Sequence, residues 1–142
     1  MLPAVLTYLR VGRCFRRRGL AAALELVPAA RGPRSELPRD LPTAVCARAA
    51  AARILGLGRT FAGRQLCLHE SLAVTAALRR LGFAAEAVIG YPVIEPASGV
   101  EELHAWPQLG EQTVTDRLGS APMNFVELAR YPQGNSRPVA VG

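Results

Sequence analysis

The feature that most constrains this chain is a change of hydrophobic period at Gly82. Over residues 67–81 the apolar side chains (Leu68, Leu72, Val74, Ala76, Ala77, Leu78 and Leu81) wrap most of a helix's circumference. A helix apolar on nearly all sides belongs at the centre of a fold, not on its surface. Arg79 and Arg80 in its last turn, with Gly82 just beyond, are the expected C-terminal chemistry. Past Gly82 the stretch 83–94 is rich in Val, Ile and Tyr, and residues 103–109 and 112–116 continue in the same manner, which predicts antiparallel strands. Residues 123–131 fit either a short helix or a strand.

Upstream, residues 2–27 carry apolar positions at helical spacing, with Gly12 and Gly19 as weak points and Pro28 closing the run, so one broken helix or two short ones are expected. Residues 29–42 hold Pro33, Pro38 and Pro42 and predict an extended loop. An Ala-rich helix over 43–55 follows, with Thr43 placed to cap it and Gly56 and Gly58 to end it. The expected class is α+β, a helical N-terminal part packed on a small antiparallel sheet. A chain of 142 residues, half of them apolar, suits one core. We therefore expect a single domain over 1–142: a helical part at 1–60, a catalytic core at 61–131 and a loose tail at 132–142.

All 17 basic residues are Arg, and the formal charge is +6. Arg10, Arg13, Arg16, Arg17 and Arg18 cluster near the start and predict a solvated basic helix face, with docking of a partner protein or an acidic peptide as the functional alternative. Aromatic residues make up only 6%, too few to favour stacking on single-stranded nucleic acid. No apolar run is long enough to span a bilayer. Three cysteines at irregular spacing, with no signal-peptide pattern, point to a reducing cytoplasm. Cys14 and Cys46 are expected to be small buried residues. The glycine-rich segment 56–60 lacks the Lys and the spacing of a phosphate loop, so no nucleotide role is assigned to it.

The candidate chemistry centres on Cys67. At a helix start, unpaired backbone N–H groups and the helix dipole favour a thiolate nucleophile. Gly110 lies midway between His104 and Asp116; a hairpin with a three- or five-residue loop centred there would stand the imidazole opposite the carboxylate on one face. That is the logic of nucleophile, base and orienter. His69, two positions along the helix from Cys67, points to another face and is the weaker base. Asp40 is expected to be a solvated loop residue or a cap. Pro107 removes a ladder donor, which predicts an edge or a bulge there. Trp106 points the same way as His104 in a regular strand and is a candidate wall of the site.

The strings Cys67-Leu68-His69-Glu70-Ser71-Leu72-Ala73, Leu78-Arg79-Arg80-Leu81-Gly82, Val88-Ile89-Gly90, His104-Ala105-Trp106 and Val114-Thr115-Asp116 together resemble the lasso peptide biosynthesis B2 proteins, leader peptidases of the transglutaminase-like, papain-like superfamily. The resemblance is good over 67–116 and holds only by pattern before it. It implies a papain/transglutaminase-like core and cysteine-protease chemistry on a ribosomal precursor peptide. Cys67 would attack the last leader carbonyl, His104 would shuttle the proton and Asp116 would orient His104. The Cys67 N–H, with Gln65 as a second donor, would bind the oxyanion. It implies no cofactor and no metal. The expected partners are the leader region of the precursor, a separate PqqD-like leader-recognition protein and a lasso cyclase. Two alternatives stand beside it: an acyl transferase or transglutaminase using the same triad, and a non-catalytic peptide- or zinc-binding module with Cys67, His69 and His104 as ligands, whose spacing matches no zinc finger.

Overall fold

The computed structural model describes residues 1–31, 37–93, 103–115 and 125–132. Helix α1 spans Leu2–Ala29 and is broken at Gly19, whose φ of 81° departs from the helical range. The expected interruption is there, and Pro28 lies inside the last turn. Helix α2 spans Leu41–Ala62, further at both ends than the expected 43–55. Asp40, not Thr43, is its cap: the Asp40 carboxylate accepts the Thr43 N–H at 2.9 Å, which holds that carboxyl below its ordinary value.

The helix runs through Gly56 and Gly58 for a packing reason. The ring of Tyr8 on α1 lies against Gly58 so closely that a Cβ there would overlap it. Gly58 is thus where two helices approach each other, and the burial gained by that approach offsets the poor helix propensity of glycine. Helix α3, Cys67–Arg80, is the central element: every residue from His69 to Arg79 is buried. Its apolar residues form one cluster with Tyr8, Val11, Ala47, Ile54 and the sheet residues Ala87 and Leu109.

Four strands form an antiparallel sheet in the order β3-β2-β1-β4: β1 Glu86–Pro92, β2 His104–Leu109, β3 Gln112–Thr113 and β4 Phe125–Tyr131. The ambiguous segment 123–131 is therefore a strand where it is described, fixed by pairing with β1 and by Arg130. That guanidinium donates to Glu127 on the same strand at 2.7 Å and to the buried Glu86 of β1 at 3.0 Å. The architecture is α+β, three helices on a small antiparallel sheet, as expected.

Two expectations are corrected. The β2–β3 turn has a two-residue loop, Gly110-Glu111, with Leu109 paired to Gln112 and Gln108 to Thr113. Gly110 at φ 57° supplies the left-handed first position that a type II′ hairpin turn needs. The register is therefore shifted by one from that of a three- or five-residue loop. Cys46 is exposed and Cys14 half-buried, so neither is the buried small residue expected, because both fall on the outer sides of their helices. The tail expected from 132 onward lies, from 133, outside the described residues. Among the described residues no helix is long and apolar enough to cross a membrane.

Candidate active site

Cys67 is the first residue of α3, and what fixes it is the free edge of β2. In a strand, alternate carbonyls point to the same edge. The carbonyl of Pro107 accepts the Val114 N–H at 3.0 Å, on the side of β3. A hydrogen-bonded antiparallel couple exchanges two bonds, but Pro107 has no N–H, so this couple has one and the ladder stops short. Of the edge or bulge that the proline predicts, the structure shows an edge: among the described residues β2 has no strand neighbour on that side beyond it.

Helix α3 takes the vacated place. Ser71 Oγ donates to the Ala105 carbonyl at 2.6 Å, and Cys67 Sγ lies 3.6 Å from the Leu103 carbonyl, as a thiol donor to it. The match is one of pitch. Four residues of helix rise about 6 Å and two residues of strand about 6.6 Å, so side chains at i and i+4 of α3 meet carbonyls at j and j+2 of β2. The sulfur is thereby held beside the peptide bond that joins Leu103 to His104.

His104 and Trp106 leave β2 on the face opposite the one that Leu109 presents to the helical core, since their parity along the strand differs. Both rings meet Phe125 of β4: His104 edge-on at a centroid distance of 5.1 Å, Trp106 tilted at 5.8 Å. The Trp106 ring also covers Gly90, the ladder partner of His104, leaving no room for a Cβ. Its indole N–H donates to Gln108 at 3.1 Å. His104 and Trp106 thus share a face, as expected of a regular strand. Cys67 and His104 are neighbours through the backbone and are not hydrogen-bonded to each other; among the described residues the imidazole nitrogens of His104 have no hydrogen-bond partner. Asp116 lies outside the described residues.

The first turn of α3 is open to an anion. Its N-cap is Leu66, which has no side chain to accept the first N–H groups, and no side-chain cap bond is made. The turn is anchored one step further in, by Glu70. Its buried carboxylate, 3% exposed, accepts the Arg59 guanidinium at 2.9 and 3.3 Å and the Gln65 N–H at 3.1 Å. The pairing pushes the ionisation of Arg59 further up. Gln65 turns its side-chain amide back to the Ala62 carbonyl at 2.7 Å, so this donor secures the turn between α2 and α3.

His69 joins neither Cys67 nor His104. It is 4% exposed, its Nε2–H donates to the Gly12 carbonyl at 2.8 Å and its ring stacks on Phe15 at 4.6 Å, both on α1. Burial pushes its pKa below the ordinary 6.5. Among the described residues no group of three or more His, Cys, Asp or Glu side chains is arranged to hold a metal ion.

Sequence reasoning missed Ser71, Glu70 and Phe125. The i, i+4 spacing from Cys67 and the acidic residue in the first turn were available signals for the first two. Nothing local signals Phe125, which arrives from a strand that follows β2 in sequence and pairs with β1. The chain matches the Transglut_core3 family model, described as the transglutaminase-like superfamily, over residues 5–130. No curated protein and no solved structure gives a significant match.

Proposed function

The chain belongs to the transglutaminase-like superfamily, which includes cysteine proteases and acyltransferases and generally works through a catalytic cysteine; from this we propose that it is a cysteine peptidase that removes the leader from a ribosomal lasso-peptide precursor. Cys67 is the nucleophile, His104 the base and acid, and Asp116 the residue that orients His104, a role that rests on the family resemblance and not on the hairpin, whose two-residue loop does not set 116 opposite 104. The observation that carries this reading is the pairing of Cys67 and Ser71 with the Leu103 and Ala105 carbonyls, which holds the sulfur one peptide bond from His104.

In the resting arrangement the thiol proton is directed at Leu103. Rotation about the Cys67 side chain moves the sulfur off that carbonyl and towards the imidazole, which takes the proton as the sulfur attacks the leader's last carbonyl. The uncapped N–H groups of the first turn of α3 face the charge that develops on the carbonyl oxygen. The imidazolium then protonates the leaving amine, and water, deprotonated by the same ring, releases the leader from the thioester. Trp106 walls the site through its contact with Phe125. A separate PqqD-like recognition protein presents the leader, and a lasso cyclase takes the freed core.

The test is incubation of the chain with precursor, with and without the recognition protein, and with and without an added primary amine, followed by intact-mass analysis. A leader fragment ending in a free carboxylate, formed faster with the recognition protein, is the expected outcome. A leader fragment carrying the amine as the main product would make the protein an acyl transferase instead.

A further inference from the structure

Leu66 breaks two local rules at once. A leucine is among the poorest N-cap residues, because it offers no acceptor to the first turn. It is also 77% exposed, and Leu103, whose carbonyl touches the Cys67 sulfur, is 56% exposed. The cap choice costs stability, and both exposed leucines fall beside the same thiol. Local inconsistencies of this sort gather where a chain is shaped for a ligand and not for its own fold.

The surroundings keep both leucines in place. The Arg59–Glu70–Gln65 bonds and the Gln65–Ala62 bond fix the turn that carries Leu66, while the Cys67 and Ser71 bonds fix the strand end that carries Leu103. Two exposed apolar residues on fixed supports therefore neighbour the thiol through the backbone, Leu66 as the residue before Cys67 and Leu103 as the owner of the carbonyl that the sulfur touches. Apolar walls with a few placed polar groups are the usual make-up of a site that holds a side chain.

Resting on the cysteine-peptidase reading, we infer that Leu66 and Leu103 are the two walls of a subsite that takes a bulky apolar side chain on the acyl side of the scissile bond. The occupant is the substrate peptide itself, because a residue joined to the carbonyl under attack has to lie next to the sulfur. Polar side chains there would bury a polar group against leucine with nothing to pair it.

Peptidyl acyloxymethyl ketones alkylate a cysteine nucleophile and carry only acyl-side residues, so they read this subsite without turnover. Two such probes, matched in length and differing only in Leu or Ser next to the ketone, are timed on the full chain by intact mass, and each rate is divided by that of iodoacetamide in the same protein. The Leu probe is expected to label Cys67 about tenfold faster than the Ser probe, the scale of discrimination a small apolar pocket gives. Leu66→Ser and Leu103→Ser each bring that ratio towards unity. Leu41→Ser keeps it, because that exposed leucine starts α2, about 30 Å of helix away from the turn before Cys67. Equal rates for the two probes in the wild type, or a ratio that survives both wall substitutions, would overturn the subsite while leaving the peptidase reading intact. If iodoacetamide labels Cys67 and neither ketone does, the subsite and the peptidase reading both fail.

Discussion

His69 and His104, the two histidines, divide according to what surrounds them. His104 stands against an aromatic ring at the start of β2, next to the carbonyl that holds the thiol, half-buried and with its nitrogens free among the described residues. His69 is spent on structure, its ring sandwiched between α3 and α1 and its Nε2–H tied to Gly12. Because burial lowers its pKa in the folded chain, the neutral form is the one the fold prefers. The unfolded chain then binds a proton more readily than the folded one, so the stability His69 contributes is fully present above pH 6.5 and is lost as pH falls through the lower folded value. Urea midpoints at about pH 7.5 and about pH 5.5 are expected to drop with acid in the wild type and to drop less in His69→Gln, which keeps an N–H donor without a titratable ring. An identical acid drop in both proteins would move the sensitivity elsewhere. Sequence spacing alone turned His69 away from Cys67, because two residues along a helix is a turn of about 200° and no flexible side chain undoes that.

At the scale of elements, the central device is the pitch match between α3 and β2. Ser71→Ala removes the donor from the Ala105 carbonyl and is expected to cost about 1–3 kcal/mol of stability, the range for a buried partner left unpaired. If the bond aligns Cys67 with His104, catalysis falls by more than the folded fraction explains, in kcat and not in KM, and a Ser71→Thr variant that keeps the hydroxyl recovers part of it. Loss of stability alone, with full kcat in the folded protein, would reduce Ser71 to packing. The existence and type of these elements were legible from residue pattern: the all-apolar helix, the β-rich stretch after Gly82 and the edge marked by Pro107. The hairpin register was not, because a two-residue and a three-residue loop place the same glycine in a left-handed position, and only the ladder tells them apart. The extent of α2 was not legible either, since the reason for Gly58 lies on another helix.

That same glycine pair makes a sharp comparison. Gly58→Ala forces a methyl into the Tyr8 ring and is expected to destabilise by about 1–3 kcal/mol. Gly56→Ala, two residues earlier in the same helix with nothing within 4 Å of the new Cβ, is expected to stabilise by about 0.8–1 kcal/mol through helix propensity. Thermal unfolding of the two variants checks both signs; if Gly58→Ala is neutral, the close approach of α1 and α2 is looser than described.

At the scale of the molecule, the helices serve to bring the open end of one buried helix to an edge of a small sheet that has no strand neighbour among the described residues. Helix α1 packs on α3 through Gly12 and on α2 through Tyr8, α2 is clamped to the start of α3 by the Arg59–Glu70 pair, and β4 covers the far side of His104 with Phe125. The layers were foreseeable from the change of period at Gly82, whereas the clamp joins two helices and the aromatic cover two strands, and no local pattern names the partner in either. The account stands or falls on Cys67 as the nucleophile. The direct measurement is intact-mass analysis of precursor peptide incubated with recognition protein and either wild-type chain or Cys67→Ala. The wild type is expected to give two fragments whose masses sum to the precursor plus one water, and Cys67→Ala to give none; equal cleavage by both proteins would contradict the account.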